Sequence, residues 1–434
     1  MDQPQRAQLR ATIEEKFPGL IELQAQAKHT QVIRQCEHYM TLDPTWYRPY
    51  EFRGVSYFRL GKLERSLADF DHALQLDPDA IEPLHSKAFV LTALDRPDEA
   101  LALFERVVRA KPDHYMAKLN LATTQLKLGN WAEGWANYEA RWFASDEARR
   151  DKQWRKRCTL PVWRGHESVV GQGIIVFTEQ AYGDTVQFSR YLHALTKHFA
   201  HVAFVCLYPL ARLMDWSFGD SICVLTTIPE QFDAWDWQVD LMSLPRAFGT
   251  TPNSVPYREP YLRVTEPARA YWKRELDLRA PTPKRVGIAW RGRPTYQDDN
   301  IRSMALEHLY PLLRDREVTW VSLQKWSNGQ REIVIPQQTN WLDLTGQLTD
   351  FADSAALVSN LDLMISVDSA PVHIAGAIGT PAWLLSRHAG EWRWLSNRTD
   401  SVWYDNLRIF RQHKRNDWAS VVADVRKALS DLPG

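Results

Sequence analysis

A repeat of 34 residues runs through the first third of the chain. Small residues, an aromatic residue and a proline each return at this interval, and they are Ala68, Ala102 and Ala136, then Phe70, Phe104 and Tyr138, then Pro44, Pro78 and Pro112. A small residue lets two helices approach closely, the aromatic side chain fills the space between them, and proline ends the second helix. The period therefore predicts one helix–turn–helix unit per repeat, with the units stacked side by side.

The period and its marked positions together are the tetratricopeptide signature. Two good repeats span about 47–80 and 81–114, a third begins near Tyr115, and residues 10–44 are interpreted as a degenerate first copy. Three or more units suffice for a stable stack, and an unrelated helical bundle is the alternative. Such stacks form a curved groove that usually holds a peptide or protein segment, so we expect a protein partner.

Charge and composition exclude several classes of protein. The 434 residues include 53 Lys and Arg and 53 Asp and Glu, and this balance argues against a dedicated nucleic-acid binder. No apolar stretch is long enough for a transmembrane segment, and the first residues show no apolar signal region, so we expect a cytoplasmic protein. The cysteines form no CxxC pair, which predicts reduced thiols at Cys36, Cys158, Cys206 and Cys223.

A charged run at residues 149–157 follows the repeats. It is either a phosphate-binding patch or a solvated connector, and the connector is the more common use of such a run. We therefore place a domain boundary near 150 and expect the repeat domain to span 1–150.

The rest of the chain alternates predicted strands with predicted helices. Short apolar runs predict strands at 173–177, 202–205, 222–225, 285–290, 318–323, 363–367 and 382–385. Helical spacing predicts helices at 184–199, 268–278, 353–359, 369–378 and 417–429. The pattern restarts after the Pro-rich segment 280–283, which predicts two doubly wound domains, 151–283 and 284–434, with a cleft between them.

In such sheets the ligand lies outside the carboxyl ends of the strands, where three junctions carry candidate residues. At the first, Gly183 lets the backbone turn close to a ligand, and Asp184 stands at the start of a helix. An aspartate there is either an N-cap or a general base that faces the cleft, and the spacing leaves both open.

The second junction is the segment from Val367 to His373. Small residues expose backbone N–H groups at a helix start, and the helix dipole favours an anion there. Asp368, Ser369 and Ala370 therefore predict a phosphate cradle, and His373, one turn into the helix, is placed to contact the same phosphate or a ribose. An ordinary capped helix with a core histidine is the alternative.

The third junction carries basic residues. Arg291 and Arg302 follow the predicted strand 285–290, and Lys325 follows the strand 318–323. Arginine and lysine at the carboxyl end of a strand suit a diphosphate. Each is a weak signal alone, but together they predict one basic face on one domain.

Three phrases together resemble a bacterial family in which tetratricopeptide repeats are fused to a GT-B glycosyltransferase domain related to the heptosyltransferases. The chain is also similar, more distantly, to O-linked N-acetylglucosamine transferases. The resemblance covers residues from about 40 to 425. Its motif residues are Glu179 to Asp184 with Gln187, Phe188, Arg190 and Tyr191; Asp350 to Leu357 and Asp368 to Ala370, with His373 to Trp383; and Glu391 to Leu395 with Arg398, Asp400, Ser401, Trp403 and Tyr404.

The resemblance implies a fold and roles for these residues. It implies a superhelix of tetratricopeptide repeats followed by an α/β GT-B fold of two Rossmann-like domains, with the nucleotide sugar in the C-terminal one. It implies that Asp184 is the catalytic base. It places contacts to the diphosphate at Asp368, Ser369, Ala370 and His373, and a loop near the acceptor at Glu179, Gln180, Tyr182, Gly183 and Gln187.

The chain departs from the family phrases at two positions in these loops. Ala181 stands where the family has glycine, and Ser369 where it has threonine. Neither departure removes a chemical group that the mechanism needs.

The expected function is therefore transfer of a sugar from a nucleotide-sugar donor to a protein. The repeats would hold the polypeptide acceptor, and the resemblance suggests flagellin or another surface protein. We expect no metal and no other cofactor, because basic groups and backbone N–H groups can neutralise the leaving phosphate. Two alternatives stay open, namely a transferase that acts on a glycolipid or saccharide, and a scaffold with an inactive transferase domain.

Overall fold

The computed structural model describes residues 2–144, 157–294, 299–325 and 333–431. The chain divides into two compact units, Met1–Ala148 and Arg149–Gly434. Of the predicted charged run, all but Arg157 lies outside the described residues.

The first unit consists of helices that pair with their neighbours along the chain. The three repeats predicted at 47–80, 81–114 and from Tyr115 onward are each a helix–turn–helix, and the degenerate copy contains α2 and α3. The described helices are α1 Gln3–Glu14, α2 Phe17–Ala25, α3 His29–Leu42, α4 Tyr47–Arg59, α5 Leu63–Leu76, α6 Ile81–Ala93, α7 Pro97–Ala110, α8 Tyr115–Leu128, α9 Trp131–Tyr138 and α10 Arg141–Ala144. The predicted helical repeats are confirmed.

The turn inside each repeat needs a left-handed backbone. Gly61 and Gly129 occupy this position in the first and third repeats, with φ of 74° and 88°. Asp95 takes the same position in the middle repeat with φ of 58°, a conformation that aspartate tolerates better than most residues. The break in the glycine pattern at Asp95 therefore leaves the backbone unchanged.

The second unit contains two parallel sheets. The first has the order β3-β2-β1-β4 and the second the order β10-β9-β8-β5-β6-β7. The strands are β1 Gly173–Phe177, β2 His201–Val205, β3 Cys223–Leu225, β4 Trp237–Asp240, β5 Lys284–Ala289, β6 Val318–Ser322, β7 Trp341–Asp343, β8 Leu363–Val367, β9 Ala382–Ser386 and β10 Leu407–Arg411. The predicted parallel α/β architecture is confirmed, and β4, β7 and β10 are strands that the sequence analysis missed.

Helices cover both sheets, and those that bear on the site lie after β1 and β8. The helix predicted at 184–199 is two helices, and the first begins at Tyr182, so that Asp184 is its third residue and not its N-cap. The helices are α11 Tyr182–Phe188, α12 Arg190–Leu195, α13 Ala211–Phe218, α14 Leu244–Ala247, α15 Glu266–Arg279, α16 Asp299–Arg302, α17 Tyr310–Leu313, α18 Phe351–Val358, α19 Ala370–Ile378 and α20 Trp418–Ser430.

Much of the tryptophan of this chain fills its core. Among the described residues, seven tryptophan side chains are fully buried, and they are Trp131, Trp135, Trp272, Trp290, Trp320, Trp394 and Trp403. None of the helices in the described segments combines the length and the apolar character that crossing a bilayer requires.

Candidate functional site

The carboxyl ends of β8, β5 and β6 lie side by side at one edge of the second sheet. These three strands are neighbours in the order β8-β5-β6, and all are parallel. The loop of Asp368 follows β8, the loop of Arg291 follows β5, and Lys325 follows β6. The second and third predicted junctions therefore belong to one edge.

Arg302 joins two of these loops. Its Nη1 donates to the backbone carbonyl of Asp368 at 3.2 Å, and its Nε donates to Asp299 Oδ1 at 3.1 Å. The guanidinium also packs against Gly292, where any side chain would collide with it. Arg302 is thus held next to the predicted phosphate cradle by fixed partners.

The other two basic residues are less directly placed. The Arg291 side chain is exposed, and its backbone N–H donates to Gln324 Oε1 at 2.9 Å. The ammonium of Lys325 donates to the backbone carbonyl of Leu348. Of the three basic residues, Arg302 is therefore the one that contacts the Asp368 loop in the segments that the structure describes.

The helix start at α19 is a narrower anion cradle than the sequence suggests. Ser369 is its N-cap, and the serine hydroxyl pairs with Ser366 Oγ at 3.1 Å instead of capping the helix. Pro371 has no N–H group, and Val372 N–H donates to the carbonyl of Ser369 at 3.1 Å. Within the described residues, the N–H groups of Ser369 and Ala370 have no acceptor, so these two donors are available to an anion.

His373 is buried and held on three sides. Its Nδ1 lies 3.0 Å from the Tyr404 hydroxyl, and its Nε2 lies 3.7 Å from Asp368 Oδ1. Its ring stacks on Trp394 with the centroids 5.5 Å apart. These contacts hold the ring in one orientation.

The Asp368 side chain interacts with buried residues of the site. Its Oδ2 accepts from Trp394 Nε1 at 2.8 Å. Burial would raise the pKa of Asp368, but His373, the Trp394 hydrogen bond and the charge of Arg393 together hold this pKa below its usual range. An ionised carboxylate repels a diphosphate, so the geometry favours Asp368 as the residue that orients His373.

Asp184 is not the N-cap of α11, but its side chain still binds a backbone N–H group at the helix start. Its Oδ2 accepts from the Ala181 N–H at 3.0 Å, which satisfies a backbone donor at the helix start. Its Oδ1 accepts from Arg393 Nη2. The side chain is 15% exposed, so it is not sealed from solvent.

Arg393 is a site residue whose role the sequence analysis missed. It is buried, and besides Asp184 it donates to Gln187 Oε1 at 2.9 Å and to Glu391 Oε2 at 2.7 Å. It lies in the motif Glu391 to Leu395, and that motif was the one sequence signal for it. Arg393 links the first sheet's helix α11 to a loop of the second sheet.

Arg190 is a second residue to which the sequence analysis assigned no role, and it is fully buried. Its Nε donates to the carbonyl of Gln187 at 2.8 Å, and its Nη1 donates to the carbonyl of Trp403 at 2.5 Å. The guanidinium also lies over the rings of Tyr261 and Tyr404, at 4.6 and 4.7 Å. Because Tyr404 contacts His373, Arg190 helps to fix the position of His373 through Tyr404.

The remaining residues of the predicted acceptor loop divide into buried and exposed ones. Glu179 is buried and accepts from the Met242 N–H at 2.9 Å, and buried Gln187 accepts from Arg393. Gln180 is exposed and has a left-handed backbone with φ of 61°. Tyr182 contacts the Phe351 ring at 4.8 Å. Glu179 and Gln187 therefore shape the loop, while Gln180 and Tyr182 are the accessible ones.

The two predicted loops meet at Gly183. A Cβ atom added to Gly183 would lie 3.0 Å from His373 Cδ2 and 3.7 Å from the Cα of Ala370. The candidate base Asp184 is the next residue in the chain. The helix start after β1 and the helix start after β8 therefore form one site.

Comparisons with known families agree with both parts of the chain. Residues 48–80 and 91–134 match tetratricopeptide repeat families, and residues 322–409 match glycosyltransferase family 9 (heptosyltransferase). The chain carries tetratricopeptide repeats and a glycosyltransferase family 9 domain. The matched part of the family 9 domain includes Asp368, His373 and Arg393, whereas Asp184 and Arg302 precede it.

The chain is also similar to individual proteins and solved structures. Protein FlbA of Caulobacter vibrioides is 28% identical over 350 residues, which are 74% of this chain and 56% of FlbA. The chain thus spans about half the length of this relative. The glycosyl transferase family 9 structure from Veillonella parvula has 12% identity and a TM-score of 0.41, and the similarity covers 60% of this chain and 96% of that one. The structure of YrrB, a TPR protein with an unusual peptide-binding site, has 17% identity and a TM-score of 0.28, with 34% and 80% covered.

Proposed function

We propose that the protein is a glycosyltransferase that moves a sugar from a nucleotide-sugar donor to a hydroxyl group of a protein acceptor held by the repeats. The observation that carries this proposal is the contact at Gly183, because it brings the candidate base Asp184 to the helix start that suits a phosphate. A base and an anion cradle are the two groups that direct displacement at a sugar carbon needs.

The donor side of the reaction has to stabilise the leaving group. As the bond between the anomeric carbon and the phosphate oxygen breaks, negative charge builds on the diphosphate. The N–H groups of Ser369 and Ala370, the α19 dipole and the guanidinium of Arg302 all favour that charge. These groups supply what a divalent cation supplies elsewhere, so we propose that transfer proceeds without a metal.

The acceptor side has to remove a proton. The acceptor oxygen attacks the anomeric carbon, and its proton passes to the carboxylate of Asp184. Arg393 and the Ala181 N–H hold this carboxylate in one orientation, and each carboxylate oxygen keeps a further lone pair for the proton. A base that is not a nucleophile favours displacement in one step, which inverts the configuration at the anomeric carbon.

Loss of Arg302 is expected to weaken nucleotide binding. We expect Arg302→Met to raise the Kd for the preferred nucleoside diphosphate about 10-fold or more, since a charge-assisted hydrogen bond contributes roughly 1.5–3 kcal/mol. A thermal-shift screen of UDP, GDP, CMP, dTDP and ADP identifies the nucleotide, because a ligand of the folded state raises the Tm by mass action. Arg408→Met, which changes an exposed arginine on β10, is the matched control. No shift with any nucleotide at millimolar concentration would favour the scaffold.

The repeats are expected to select a protein acceptor. A chain that begins at residue 149 should retain the nucleotide-dependent thermal shift and slow hydrolysis of the donor, because it retains the second compact unit. Its transfer to purified flagellin, the acceptor class that the family resemblance suggests, should fall at least about 10-fold relative to the full chain. Retained thermal shift is the control for folding. Equal transfer by both chains, or transfer to glycolipid and not to protein, would support the alternative in which the repeats serve assembly.

A further inference from the structure

Two histidines and a glutamate lie together in the repeat unit, apart from the transferase site. Glu82 and His85 are three residues apart on α6 and therefore share one face of that helix. His114 directly precedes α8 of the next repeat. One candidate ligand atom of each side chain lies within 4.8 Å of those of the other two.

The hydrogen bonds of the two histidine rings indicate which ring nitrogens are available to a metal ion. One ring nitrogen of His85 is paired with the Asn120 amide at 3.1 Å, which leaves its other nitrogen as the candidate ligand. His114 Nδ1 accepts from the Ala117 N–H at 3.2 Å, and its Nε2 lies 3.9 Å from Glu82 Oε2. A metal ion bound at Nε2 would leave the proton of the His114 ring on Nδ1. The hydrogen bond from the Ala117 N–H would then be lost, and the bond from Nε2 to the metal would replace it.

The residues around the cluster would support a bound ion and leave it open to solvent. With a metal ion on Nδ1, His85 Nε2 carries the ring proton. The Asn120 amide, whose Nδ2 lies 3.1 Å from Nε2, would then turn its oxygen toward the ring to accept that N–H, as partners of metal-bound histidine commonly do. Glu82 is 51% exposed, which leaves a path from solvent.

We propose that Glu82, His85 and His114 bind one divalent transition-metal ion, with Zn²⁺ as the best fit and water in the fourth position. Two imidazoles and one carboxylate suit Zn²⁺ better than Ca²⁺ or Mg²⁺, which prefer all-oxygen sites. Ligand atoms around tetrahedral zinc lie about 3.3 Å apart, so side-chain rotations that close the present separations by about 1.5 Å complete the site. The ion would tie the first turn of α6 to the residue that precedes α8.

Zinc titration of the full chain tests this site. The protein, free of any polyhistidine tag and stripped with EDTA, is titrated with ZnCl₂ by calorimetry in the presence of a competing chelator. One tight site per chain is expected. His85→Ala and His114→Ala should weaken it at least about 100-fold and Asn120→Ala about 10- to 100-fold, since supporting partners of metal ligands have effects of that size. Co²⁺ in place of Zn²⁺ should give visible absorption bands that both histidine variants lose.

The controls separate a built site from general zinc binding. His38→Ala removes an exposed histidine of the same unit and should leave the affinity unchanged. Glu82→Gln alters an exposed side chain without threatening the fold, and it should weaken binding at least about 10-fold even if His85→Ala disturbs packing against Phe104. Absence of a stoichiometric site, or an affinity in both Glu82→Gln and His114→Ala equal to that of the unchanged protein, would overturn the proposal.

Discussion

Asp184→Asn is expected to lower the rate of sugar transfer by about 10²- to 10⁴-fold, the usual contribution of a positioned general base. The amide matches the carboxylate in shape, and its oxygen can still accept a hydrogen bond from the Ala181 N–H. It cannot take a proton from the acceptor hydroxyl. Mass spectrometry of the product at saturating donor measures the rate, and the donor Kd measured alongside should change little.

Asp417→Asn provides the matched control for this substitution. Asp417 also accepts a backbone N–H at a helix start, from Ser420 at 3.0 Å, but it lies before the last helix and outside the site. Its amide variant should transfer sugar at the wild-type rate. If Asp184→Asn keeps more than a tenth of the activity, the base lies elsewhere, and the buried pair of His373 and Asp368 becomes the next candidate.

The repeats were predictable because their signal is local and repeated. A residue that packs between paired helices must be small or aromatic in every copy, so the period appears directly in the sequence. Buried Phe70 and Phe104 follow that rule, and two of the three turn residues, Gly61 and Gly129, are glycine. Asp95 stands in place of glycine but has the same left-handed backbone, which the sequence alone does not show.

The missed strands lack the apolar runs that identified the others. The fully buried strands β1, β6, β8 and β9 are continuous apolar segments or nearly so. β7 is three residues long and largely half-buried, and β4 carries Gln238 and Asp240 among its four residues. Short edge strands gain their hydrogen bonds from a neighbour, and that neighbour is not visible in the local sequence.

The difference between local signals and distant partners also explains which site residues the sequence analysis found. Asp184, Ser369 and His373 follow predicted strands, and position in an α/β sheet is enough to single them out. Arg393 contacts Asp184 across 209 residues of sequence, and Arg190 contacts Trp403 across 213. Their importance depends on these distant partners, and no periodicity encodes such a pair.

Gly183→Val is expected to reduce transfer about 100-fold with the chain still folded. A side chain at Gly183 would lie 3.0 Å from His373 Cδ2 already at its Cβ, so the branched methyl groups must push the two helix starts apart by about 1 Å. Misplacement by that distance typically costs about 10²-fold in rate. Gly183→Ala, which adds the Cβ alone, should give a smaller loss.

Gly346→Val is the matched control, because a Cβ at Gly346 meets no atom within 4 Å. Circular dichroism and the Tm check that both variants fold, and single-turnover assays separate the chemical step from donor binding. A graded loss from alanine to valine, with Gly346→Val unchanged, supports a reaction that occurs where the two helix starts meet. Full activity of Gly183→Val would mean that transfer does not depend on this contact, and the base and the phosphate cradle would then have to be sought apart.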